Sequence, residues 1–134
     1  MQSAMYWTIV DDVMVCVASS GVPDKETLAR FLHDLRTKPI RRFLTTPLSL
    51  SDAVCAERTE CGAICTEKRI HVAVVVDPEA SPEFASIARF ADVESFPWSQ
   101  VDAALHHLDV SGPAFAQARQ ALMKLRAECS VVAV

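Results

Sequence analysis

The chain has only three glycines in 134 residues. Loops that cradle phosphates need several glycines close together, so that backbone N–H groups can approach the anion. Neither a Gly-x-x-x-x-Gly-Lys loop nor a Gly-x-Gly-x-x-Gly turn is present, and no Gly-x-Ser-x-Gly elbow occurs. The expectation is a protein without catalytic residues, cofactor or metal. Positive charge is also short: 13 Lys and Arg stand against 17 Asp and Glu, a net charge of -4. That balance excludes broad non-specific binding to nucleic acid, which needs a basic surface. No apolar run approaches the ~20 residues that span a bilayer, so no transmembrane segment is expected. Met1-Gln2-Ser3-Ala4-Met5-Tyr6 shows no basic stretch leading into an apolar core, and a cytoplasmic location is the expectation. The cysteines Cys16, Cys55, Cys61, Cys65 and Cys129 are odd in number and include no Cys-x-x-Cys pair. Reduced thiols are expected, not a disulfide framework.

What is present begins with Ile70-His71-Val72-Ala73-Val74-Val75-Val76, closed by Asp77-Pro78. A strand with one face in water alternates polar and apolar residues. This run is almost unbroken apolar and β-branched, as in a strand covered on both faces within a parallel sheet. The fold expected is a single α/β domain over residues 1–134. Its core runs from about 6 to 127, and 128–134 form a tail. The sheet should be mixed but mostly parallel, four- to five-stranded, opened by a β-hairpin and covered by helices.

The elements follow from local pattern. Residues 6–10 and 13–18 are strand-like, and Asp11-Asp12 is a polar turn between them, which predicts a hairpin. Ser19-Ser20-Gly21-Val22-Pro23 ends the second strand. Asp24 is placed to cap a helix whose Leu28, Phe31, Leu32 and Leu35 form one apolar stripe. Residues 40–45 read as a short strand. Ser49-Leu50-Ser51-Asp52 has capping-box form, predicting a helix to about Lys68 with Val54, Cys61, Ile64 and Cys65 on one side. Ser81-Pro82-Glu83 opens another helix, with Phe84, Ile87 and Ala88 inward. Residues 92–96 read as a strand. Ser99 to Asp102 reads as a second capping box stapled by Trp98, leading to a helix with Val101, Ala104, Leu105 and Leu108 buried. After Gly112-Pro113 a last helix buries Phe115, Ala118, Leu122 and Leu125.

Few residues here carry chemistry. His71, inside the central strand, reads either as a ligand or base or as a hydrogen-bonded core imidazole. The second reading is preferred, since no acid or cysteine has ligand spacing to it. His106 and His107 sit on the exposed side of a helix end, where the helix dipole favours cations. Adjacent helical residues point about 100° apart, so this pair does not chelate a metal. Cys61 and Cys65 share a helical face and read as small core hydrophobes. Arg36, Lys38, Arg41 and Arg42 are the one basic cluster. It suits either a solvated helix end or contact with an acidic or phosphate-bearing partner.

The hairpin at 6–18, the strand at 70–76 and the segment Phe96-Pro97-Trp98-Ser99-Gln100-Val101-Asp102-Ala103-Ala104-Leu105 together resemble the STAS and STAS-like domains. These include the bacterial anti-sigma-factor antagonists and are similar in outline to the lipid-binding Sec14 group. The resemblance implies a non-enzymatic regulatory or scaffolding protein that acts by binding a protein partner. A small-ligand or lipid carrier with a hydrophobic cleft is the alternative it allows. The phosphorylated antagonists carry an Asp-Ser-Ser-Gly-like segment between a strand and the next helix. Here that place reads Thr45-Thr46-Pro47-Leu48-Ser49-Leu50-Ser51-Asp52, without the leading aspartate or the glycine. Ser49 and Ser51 are the candidate regulatory positions, and the basic cluster is the candidate partner contact. The apolar end Val131-Val132-Ala133-Val134 is expected to add as a strand to a sheet edge of the same molecule or of a neighbour, and a homodimer is expected.

Overall fold

A computed structural model describes residues 2–3, 5–18, 22–47, 63–76 and 93–132. Strands β2 (Met5–Val10) and β3 (Val13–Ala18) form the expected hairpin, with Val10 opposite Val13 across the Asp11-Asp12 turn. Asp11 takes a left-handed φ of 54°. Both turn types that match the twist of a two-residue hairpin put a positive φ at that first position. Two two-residue strands, β1 (Gln2–Ser3) and β4 (Val22–Pro23), pair in parallel just outside the hairpin. Nothing in the sequence pattern signals so short a pairing.

Helix α1 (Lys25–Thr37) begins where Asp24 accepts hydrogen bonds from the backbone N–H groups of Glu26 and Thr27. Its Phe31, Leu32 and Leu35 are buried, and Leu28 packs partly against them. Strand β5 (Arg42–Pro47) starts two residues later than residues 40–45 suggest. Ile40 is buried before the strand begins, its N–H turned back to the Lys38 carbonyl. Residues 63–68 are helical and are labelled α2. Strand β6 (His71–Val76) follows, then β7 (Val93–Pro97). A 3-10 turn, Trp98–Gln100, leads into α3 (Val101–His107). Ser99 is therefore inside that turn, and no side-chain cap bond forms there, contrary to the capping box expected. Helix α4 (Pro113–Val132) closes the described chain. Of the apolar end expected to be extended, Val131 and Val132 are helical instead, and residues 133–134 lie outside the described residues. The second helix start at 81–83 and the loop with Ser49 and Ser51 lie outside the described residues.

The five-stranded sheet runs in the order β2-β3-β5-β6-β7. Its hairpin pair is antiparallel and the remaining three pairs are parallel. This is the mixed α/β sheet that the unbroken apolar run predicts. Alternation along β3 and β6 assigns each residue to a layer. Val13, Val15, Val17, Ala73 and Val75 join the buried residues of α3 and α4. Met14, Cys16, Val72 and Val74 join those of α1 and α2. Both strands are thus sandwiched, and each fully buried Val or Leu side chain contributes about 1.5–3 kcal/mol. Cys16 and Cys65 are buried in the second layer and neither is in a disulfide.

Candidate functional site

Two features of the sheet are candidates for function. One is the end at which the parallel strands begin, and the other is the outer edge of β2.

The amino ends of β5 and β6 form an open cleft of about 650 Å3 lined by Pro39, Ile40, Arg41, Arg42, Lys68, Arg69, His71, Leu108 and Asp109. The hairpin turn anchors one wall. The carbonyl of Asp12 accepts from the backbone N–H groups of Arg41 at 2.9 Å and Arg42 at 3.1 Å. Its carboxylate oxygens lie 2.6 and 2.7 Å from Arg42 Nη1. This ion pair is about 30% exposed on each side, where such pairs contribute about 1 kcal/mol or less. Lys68 is committed differently. Its Nζ donates to the carbonyls of Leu35 at 2.6 Å, Lys38 at 2.7 Å and Arg36 at 3.3 Å. Those carbonyls belong to the last turn and cap of α1, which lack helical donors and carry the negative end of the helix dipole.

The other wall comes from two helix ends of one design. After α2, Ile70 N–H reaches the Cys65 carbonyl at 2.8 Å and Arg69 N–H the Thr66 carbonyl at 3.2 Å. After α3, Val110 N–H reaches the Leu105 carbonyl at 3.1 Å and Asp109 N–H the His106 carbonyl at 3.0 Å. Both are Schellman caps, in which the residue after the cap is left-handed and is most often glycine. Here those residues are Arg69 and Asp109, each with a φ of 57°. Ile70 and Cys65, and Val110 and Leu105, are buried and supply the apolar contact that accompanies such caps.

His71 leads β6 out of the cleft, its N–H bonded to the Arg41 carbonyl at 2.9 Å. Its ring packs against that of His107, with centroids 4.4 Å apart. No sequence signal points to this ring partner. His107 differs from expectation: it is half-buried, with Phe96 beside it at 5.6 Å and Glu94 Oε2 3.6 Å from Nδ1. His106 is the exposed member of the pair, lying on Phe115 at 5.0 Å. Among the described residues no three His, Cys, Asp or Glu side chains are placed to hold a metal ion.

The basic cluster read from sequence is thus divided. Arg41 and Arg42 line the cleft, whereas Arg36 and Lys38 enter the arrangement through their carbonyls on Lys68. Lys68 and Arg69 escaped the sequence reading, and His71 was read there as a core imidazole and not as part of this cluster. They belong to the next crossover and reach the cleft only because β5 and β6 are neighbours, with Arg42 opposite His71.

The edge of β2 is different in character. Its six residues carry no charge and every one is half-buried. Trp7 and Ile9 pack toward α1, and Trp7 Nε1 donates to Asp34 at 2.9 Å. Trp7 also meets Phe31 edge-on at 5.5 Å. Among the described residues no strand pairs with the outer side of β2. In an antiparallel pair every second residue turns its N–H and C=O away from its partner. Counted from the turn, those residues are Met5, Trp7 and Ile9.

No family model, curated protein or solved structure matches the chain. Among the described residues no helix is long and apolar enough to cross a membrane.

Proposed function

We propose that the protein is a non-enzymatic regulatory or scaffolding module of STAS-like type that acts by binding a protein partner. The observation that carries this reading is the outer edge of β2, which no described strand covers. An uncharged edge strand is a template for a strand from another chain. Natural sheets commonly blunt a free edge with lysine, proline or a bulge. β2 has none of the charges or prolines, and its pairing with β3 runs without a bulge from Met5 to Val10. The hairpin, the doubly covered strand and the strand–turn–helix at 96–105 are also the segments on which the STAS-like resemblance rests.

Proline at position 9 removes one outward N–H and leaves the inner ladder intact, since edge strands tolerate proline on the solvent side. Lysine at position 8 puts a charge on the same edge. Ile9→Pro and Thr8→Lys are expected to keep the wild-type circular dichroism spectrum. Both should lose the discrete protein, or second copy of the chain, that wild type retains in cross-linking and native mass spectrometry. A wild-type chain that stays a bare monomer, or that carries a co-purified lipid and no protein, overturns the reading.

A further inference from the structure

We propose that the cleft at the amino ends of β5 and β6 binds a small phosphate monoester. The site is separate from the edge of β2 and does not depend on the partner reading. Four fixed positive charges, Arg41, Arg42, Lys68 and Arg69, line it beside the carboxylate of Asp109, with a second carboxylate, Asp12, held on Arg42. This concentration stands out in a chain of net charge -4. Two of the four serve the fold: Arg42 holds Asp12, and Lys68 holds the end of α1. Arg41 and Arg69 do not. Both are exposed, and among the described residues neither guanidinium has a hydrogen-bond or ion-pair partner.

Arg69 adds an independent argument. Its left-handed φ of 57° is one that glycine adopts freely and a side chain resists. The α2 cap would form at least as well with glycine. Local stability therefore does not account for a long cation at this position, whereas its placement on the cleft wall does. Asp109 repeats the pattern on the facing cap, so two left-handed residues of opposite charge face one space.

The chemistry of the lining selects the ligand. Guanidinium groups match the oxygens of phosphate and carboxylate through paired N–H donors. Two uncommitted arginines suit a dianion better than a monocarboxylate. Asp109 only accepts hydrogen bonds from such a ligand, so it favours one that also carries a hydroxyl. The open shape and the acidic balance of the whole chain disfavour a polyanion.

The test uses the full chain at constant low ionic strength, with glycerol 3-phosphate as probe and calorimetry as readout. Saturable binding is expected, tighter than for inorganic phosphate and much tighter than for acetate. Arg69→Gly should melt no lower than wild type and yet bind glycerol 3-phosphate roughly tenfold or more weakly, as loss of a charged hydrogen bond implies. Arg41→Gln should weaken binding similarly, and Lys124→Gln on α4 should not. Unchanged binding by Arg69→Gly and Arg41→Gln, or no binding by wild type, overturns the proposal. Capture by phosphatidic acid vesicles without binding of glycerol 3-phosphate overturns it also, since the phosphate would then be read only on a lipid surface.

Discussion

Asp24 shows how much one side chain can do at a helix start. Thr27 Oγ1 donates to its carboxylate at 3.0 Å, and backbone N–H groups of Glu26 and Thr27 add to this. The Thr27 hydroxyl, then the Glu26 N–H, hold its pKa below the ordinary 3.8 by stabilising the charged form. A lowered folded-state pKa contributes stability above the unfolded value, and that contribution is lost as pH falls through the folded one. Acidification below the ordinary carboxylate range should therefore loosen the first turn of α1. Asparagine caps comparably without titrating. Protection of the amides in residues 25–29, taken relative to their intrinsic exchange rate at each pH, should fall in acid in wild type, and that fall should be smaller in Asp24→Asn. This cap was legible in sequence because its partners lie within three residues. The setting of His107 was not legible, because Glu94, Phe96 and His71 come from two other strands. Sequence adjacency to His106 placed it on an exposed helix end, whereas the fold turns it inward.

Elements are joined here by single long side chains as well as by apolar layers. Lys68 ties the end of α2 to the end of α1 through three carbonyls. Lys68→Met keeps the aliphatic stem and removes the donors. The expected cost is about 1 kcal/mol, because the Leu35 carbonyl loses a charged partner at a partly buried position while those of Arg36 and Lys38 stay open to water. Urea titration should show a lower midpoint with an unchanged slope, and amide exchange should rise at Lys38 and Ile40. A lower slope would instead mean that the fold itself had changed. The apolar stripes of α1, α3 and α4 were readable in sequence because a period of 3.6 is local. The Schellman caps at Arg69 and Asp109 were not, since the usual signal is a glycine after the helix and here none stands there. The 3-10 turn at Trp98–Gln100 escaped for a related reason. Ser99 has capping chemistry, but a turn that continues the helix leaves it nothing to cap.

Across the whole molecule, one sheet divides two apolar layers, and the strands between them carry the stability. Leu44 on β5 is fully buried in the layer shared with α3 and α4. Leu44→Ala should cost about 2–5 kcal/mol, because lost burial and the remaining cavity add. Met123→Ala on the exposed side of α4 should change stability by about 0.5 kcal/mol or less. Thermal denaturation of both variants checks the contrast, and similar losses would contradict a core centred on the sheet. Fold class was legible at this scale because a strand covered on both faces leaves an apolar run that no half-exposed strand shows. Which end of the sheet gathers the cations was not, since that depends on strand order. That order has a consequence for how the chain is made. Each strand of the five-stranded sheet lies beside the strand that precedes it in sequence. A chain emerging from the ribosome can therefore lay each new strand on an edge already in place. None has to wait for a later segment, and none must be threaded between two strands already paired. Of the described strands in this sheet, the hairpin pair is complete first and β7 is laid down last.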